Sequence, residues 1–222
     1  AAASILLGGL VATAQDDVEG VLAYSSIGQV GFIVLPVAVG ATAGSVRALA
    51  ITAALVYALN HAVAKGLLFL VSGTVRDATG TTNLGALSGL AARSPALGGA
   101  FFVGLLALVG IPPLSGFFGK LLVFDTAVGA RSAAALALAL VGALLTIAYT
   151  TRAWSRGFWG DQTPLVEGAS FDPAQVAVVV LLAVLVVAIG VGFDPVYRLA
   201  DAGAHAALAR DAYVTAVLGG SA

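Results

Sequence analysis

Residues 173–193, PAQVAVVVLLAVLVVAIGVGF, run without a single charged side chain. About 20 predominantly apolar residues are enough to cross a bilayer. Inside lipid every backbone N–H and C=O must be satisfied within its own element, which leaves only helices or a closed barrel. Comparable runs occupy roughly 18–41, 47–75, 96–111, 112–129 and 133–151, with a shorter one at 1–14. None alternates with period two, so helices are expected. Composition agrees: 60% of the 222 residues are hydrophobic and 9% charged, and the mean hydropathy is +1.05, outside the range of ordinary soluble domains. The expected fold class is all-α, a polytopic transmembrane helical bundle.

Several functions are excluded at this level. The chain has no cysteine, so neither disulfides nor thiolate metal centres are available. A net charge of −1 argues against nucleic acid as a partner. No Gly-rich phosphate loop, Ser/His/Asp grouping or metal-ligand spacing occurs, so no catalytic residue, metal or cofactor is expected. The opening AAASILLGG lacks the charged flank of a signal peptide. Residues 1–14 are too few to cross, and the chain reads as the later portion of something longer, beginning within a helix.

Charge placement is more informative. All eight arginines, at 47, 76, 93, 131, 152, 156, 198 and 210, fall at the ends of apolar runs or between them. If every run is a separate crossing, Arg47, Arg152 and Arg156 share one side and the other five share the opposite side, too even a split to set orientation. The two lysines, Lys65 and Lys120, instead lie inside apolar runs. A charge at that depth costs about 2.5–3.5 kcal/mol even on lenient scales and normally faces a bundle interior or a hydrated cavity. Arginine keeps its proton in a protein, whereas a desolvated lysine can release one. Residues able to exchange a proton are inside; fixed charges are at the rim.

His61 and Lys65 sit four residues apart in LNHAVAKGLL and so share a helical face, which Tyr57 extends by a turn. Histidine titrates nearest neutrality, and a Tyr57–His61–Lys65 stripe suits proton passage through intervening water. The alternative is structural, with His61 bonded to a neighbouring carbonyl and Lys65 snorkelling. Lys120 follows Pro112-Pro113 by seven residues, with Ser115 close by; the prolines end any helix arriving there, leaving either a tight hairpin or a discontinuous helix. An ion pair of Lys120 with Asp125 is disfavoured, because i to i+5 does not bring side chains together on a helix. Ser25, Ser26 and Gln29, in AYSSIGQVGF with Gly28 and Gly31, read as polar contacts between closely packed helices. His205 lies in a polar tail.

In order, AYSSIGQVGF (23–32), LNHAVAKGLLFLVSGTV (59–75), GIPPLSGFFGK (110–120) and RAWSRGFWGD (152–161) resemble the later membrane helices of the antiporter-like proton-translocating subunits. That family includes the large subunits of Mrp-type sodium/proton antiporters, of respiratory complex I and of membrane-bound hydrogenases. FWGD and the ending AYVTAVLGG (212–220) are most similar to the D-type subunits of Mrp antiporters.

The resemblance implies one membrane domain over 1–222, running from the end of helix eight through helix fourteen of a fourteen-helix subunit to a short polar tail. It further implies a bacterial cytoplasmic membrane, protons and sodium as transported ions, and partners of the Mrp A, B, C, E, F and G type. Lys65 and His61 match the family's hydrated central axis, and Lys120 matches the titratable residue of its discontinuous helix. Two positions depart from the pattern: Glu19 stands where the family often has a lysine, and Tyr57 where it has a second histidine.

Overall fold

The computed structural model describes residues 1–209 and Val214; Arg210 and most of AYVTAVLGG lie outside them. The described residues are helical with short connections. The helices are α1 (Ala2–Ala14), α2 (Val18–Thr42), α3 (Arg47–Thr79), α4 (Leu90–Arg93), α5 (Pro95–Val109), α6 (Ser115–Gly129), α7 (Ala133–Ala153), α8 (Pro164–Glu167), α9 (Pro173–Val191) and α10 (Phe193–Leu208). A 3₁₀ turn, Gly44–Val46, leads into α3, and a π turn, Trp154–Phe158, extends α7. Four helices are long and apolar enough to cross a membrane. Helix starts follow local chemistry: Asp17, Ser132, Thr163 and Asp172 each accept a hydrogen bond from an amide of the first turn.

α3 is the central pillar, 33 residues or about 50 Å at 1.5 Å per residue. Along it, successive neighbours fix the course of α5 and α6. Gly104 of α5 rests on Leu67 and Leu68, Ser115 meets Asn60, Gly119 lies against Tyr57, and Gly129 faces Val46. Residue numbers fall along α3 as they rise along α5 and then α6. The two helices therefore form one discontinuous crossing, antiparallel to α3, and not a hairpin of two. Runs 96–111 and 112–129, expected as separate spans, are its halves.

That arrangement overturns the expected distribution of arginines. Arg152 and Arg156 reach Asp16 at 2.7 and 2.8 Å, and Arg76 reaches Glu19 at 2.8 Å. All belong to one end of the bundle, together with Arg93. Arg47 and Arg131 mark the opposite end, where Gly129 meets Val46. Counting one crossing as two places Arg152 and Arg156 at the wrong end.

Small residues let backbones meet. A Cβ on Gly8 would lie 2.3 Å from the Gly28 amide nitrogen, and one on Gly31 would lie 2.6 Å from Ile5. The helix pair α1–α2 thus packs almost backbone to backbone, as the glycines of AYSSIGQVGF suggested. The tail begins differently from expectation. Residues 193–208 form α10, an amphipathic helix docked on α3 and α6: Thr52 Oγ1 of α3 donates to Asp201 at 3.3 Å, and Phe193 stacks on Phe118 of α6 at 4.0 Å. His205 is exposed beside Asp201, at 3.8 Å.

Candidate functional site: a buried polar core with two lysines

Gly110, with φ of +87°, ends α5. In an unbroken helix the carbonyls of Leu108 and Val109 would accept from the amides of residues 112 and 113. Both are proline and have no amide hydrogen. Lys120 supplies the missing donor, reaching Leu108 O and Val109 O at 2.8 Å each. Its amine therefore caps the carbonyl end of α5, where the helix dipole favours positive charge. The aliphatic stem passes over Gly110, where a Cβ would lie 3.0 Å from its Cδ. Phe32 places its ring 5.5 Å from Nζ, a cation–π distance.

Lys65 is held from α2. Its Nζ donates to the Leu22 carbonyl at 2.8 Å and to Ser25 Oγ. Ser25, Gln29 and Phe32 lie on one face of α2 at i, i+4 and i+7, and each meets part of the same polar core. Gln29, 2% exposed, is the junction. Its Nε2 donates to Tyr149 Oη at 2.9 Å and to Thr146 Oγ1 at 3.3 Å, while its Oε1 accepts from Tyr57 Oη at 2.6 Å. Tyr57 stacks on Phe32, ring centroids 5.5 Å apart, and Phe32 lies over Lys120. Ser115 donates to Asn60 Oδ1 at 2.7 Å across the break. Polar side chains of α2, α3, α6 and α7 thus fill the interior between the two amines.

Both lysines are 5% exposed, and among the described residues neither has a carboxylate within 4.0 Å. Asp125 is exposed and does not pair with Lys120. Each amine has two neutral oxygen acceptors. A neutral amine offers two N–H donors and an ammonium three, so both acceptors are satisfied in either protonation state.

The stripe expected along α3 is not a hydrogen-bonded row. Tyr57 and Lys65 bond across to α2, and the buried Nδ1 of His61 between them has no partner among the described residues. Ser26 is turned back to the Leu22 carbonyl at 2.8 Å. The sequence reading missed Tyr149, Thr146 and Asn60. The first two stand three residues apart in LLTIAYTT, a polar face on an otherwise apolar run; Asn60 directly precedes His61. Among the described residues no group of three His, Asp or Glu side chains is placed to hold a metal ion.

Outside the core, an ionic cluster sits at one end of the bundle. Arg156 and Arg152 both donate to Asp16 Oδ1, and Arg152 also reaches the Gln15 carbonyl. The two guanidinium hydrogen bonds, that of Arg156 first, hold the Asp16 carboxyl below its usual range.

A discontinuous helix beside a central pillar, with amines facing inward from both, defines a multi-pass membrane protein with a polar interior. Its family follows from comparison: the chain belongs to the NADH:quinone oxidoreductase/Mrp antiporter transmembrane family, whose model matches residues 1–146. The D-type subunit of the Na(+)/H(+) antiporter of Alkalihalophilus pseudofirmus is 32% identical over 97% of this chain and 43% of its own length. The N-type subunit of the NADH-quinone oxidoreductase of Desulforudis audaxviator is 35% identical over 86% of this chain and 38% of its own length. Among solved structures, a chain of the Mrp complex from a Dietzia species superposes with a TM-score of 0.89 at 28% identity, covering 98% of this chain and 48% of that one. A chain of respiratory complex I from Thermus thermophilus gives 0.76 at 31% identity, covering 92% and 43%. The chain spans less than half the length of these relatives.

Proposed function

We propose that this chain is the later part of a proton-conducting subunit of a multisubunit sodium/proton antiporter in a bacterial cytoplasmic membrane, assembled with partners of the Mrp A, B, C, E, F and G type. The observation that carries the reading is the pair of buried amines that, among the described residues, have no counter-ion and bond to neutral oxygens. A permanently charged pair there would need carboxylates, because an uncompensated buried charge is costly. A group that takes up and gives back a proton needs acceptors that serve both states.

In this mechanism Lys65 or Lys120 accepts a proton from water entering from one end of the bundle. The new charge raises the cost of a second charge nearby and drives release at a neighbouring site. Lys120 at the break and Lys65 toward the Asp16 end are the two stations; Ser25, Gln29, Tyr57 and Ser115 orient the interior between them, and His61 completes the α3 side. The likeness of its sequence to D-type antiporter subunits and of its fold to a chain of an Mrp complex supports the assignment. The function is ion transport, not chemical catalysis.

A second reading, a proton-pumping subunit of a quinone reductase or hydrogenase, is favoured by the 35% identity to the N-type quinone oxidoreductase subunit. Flavin, iron–sulfur or nickel absorbance in the isolated assembly would decide for it.

The test uses the full-length subunit in its assembly. In everted vesicles Lys120→Ala is expected to abolish sodium/proton exchange while the partners still co-purify. Unchanged exchange at normal expression contradicts the proposal.

A further inference from the structure

Away from the lysines, a trench runs between α5 and α9. Its head is a cleft of about 760 Å³ lined by Arg93, Ser94, Ser170 and Phe171 at the end of the bundle where both helices begin. Its lower part is a groove of about 640 Å³ lined by Gly99, Val103, Ala183 and Val187. Val180 and Val184 border both, so the two are continuous. From Val180 to Val191 the apolar part is about 16 Å long at 1.5 Å per residue. That is about half of a hydrocarbon core of about 30 Å, one leaflet's depth.

The head carries positive charge that no carboxylate among the described residues pairs with. Arg93 gives Nη2 to the Ala169 carbonyl at 2.7 Å, and among the described residues no carboxylate lies within 4.0 Å of it. The acid nearest in sequence to the cleft, Asp172, is turned to the α9 amino terminus and accepts from Ala174 N at 2.8 Å. The bond to Ala169, the one side-chain hydrogen bond of Arg93 among the described residues, fixes the guanidinium at the mouth and leaves its other donors for a ligand. Small residues make the groove: a Cβ added to Gly99 meets nothing within 4 Å.

A cation with hydroxyls at the membrane surface, continued by an apolar channel one leaflet deep, matches one ligand class. We propose that the trench binds an anionic phospholipid, its phosphate on Arg93 between Ser94 and Ser170 and one acyl chain along Gly99, Val103 and Val187. Electrostatic attraction selects the headgroup and apolar burial holds the chain. The site is separate from the proton stations and independent of the transport proposal.

The test uses the full-length subunit in its native assembly, placed in nanodiscs of phosphatidylglycerol and phosphatidylcholine, with bound lipid read by native mass spectrometry. Wild type is expected to retain phosphatidylglycerol after phosphatidylcholine is stripped. Arg93→Gln lowers that retention about five-fold, the worth of one arginine at an anionic surface, and Arg93→Lys restores most of it. Gly99→Leu fills the groove without touching the charge and lowers retention as well, which keeps the test open if Arg93→Gln fails to assemble. Equal retention in wild type and both disrupting variants, or equal retention of phosphatidylcholine, overturns the proposal. So does displacement by inorganic phosphate alone, or a protein segment found seated in the trench.

Discussion

Leu108 and Val109 show how far single residues determine this interior. Their carbonyls lose helical donors because Pro112 and Pro113 stand four residues on, and Lys120 replaces both. Gln29 has a comparable role for the tyrosines. Gln29→Leu strands the hydroxyl of Tyr57 in the interior, at a cost of about 1–3 kcal/mol for an unsatisfied group, and takes one of several partners from Tyr149, which keeps Thr146 and Ser25. Thermal unfolding of the assembled full-length subunit should shift down clearly, and less for Tyr57→Phe, which removes one donor; an unshifted Gln29→Leu would contradict the junction role. The lysines were legible in the sequence because a charge inside an apolar run is conspicuous. Tyr149 and Thr146 were not, since hydroxyls are common in membrane helices and only the fold reveals which face Gln29. His61 was legible as a residue but not in its bonding: a shared face on α3 does not decide whether side chains meet each other or a neighbouring helix.

At the scale of elements, the decisive feature is the single crossing made by α5 and α6. It depends on Gly116, where a Cβ would lie 1.7 Å from the Ala107 carbonyl, and on Gly190, where one would lie 2.2 Å from the Pro113 carbonyl. Gly116→Val is expected to cost about 3 kcal/mol or more through forced separation of the two half-helices, seen as loss of assembled subunit from the membrane. Gly73→Ala is the control: nothing lies within 4 Å of the added Cβ, and replacing a helical glycine gains roughly 0.5–1 kcal/mol. Equal levels for the two variants would contradict the packing argument. The helix boundaries were readable to within a few residues from hydropathy and proline positions. The choice between hairpin and broken helix was not legible in the residues alone, because Pro-Pro ends a helix in either case; the family resemblance implied the broken helix, and packing against α3 agrees. α10 reads in sequence as a polar tail, since its apolar positions are spaced for one face and never form a run.

For the whole molecule, the two ends of the bundle differ: one carries Asp16 between Arg152 and Arg156, the other the turn before α3 and the start of α7. Because the folded Asp16 carboxyl titrates below its ordinary value of 3.8, its contribution is fully present above that pH and is lost as pH falls through the lower folded value. The stability difference between wild type and Asp16→Asn should therefore be visible near neutrality and shrink as pH drops below about 4. A difference that instead grew on acidification would reverse the assigned sign. The central claim is that the interior amines exchange protons during turnover, and the most direct measurement is sodium/proton exchange in everted vesicles carrying the full-length subunit with Lys65→Gln or Lys120→Gln. Glutamine preserves polarity and hydrogen bonding but cannot carry the proton. Each variant should assemble with its partners and show exchange reduced to background, whereas wild-type exchange from either assembled variant would contradict the account.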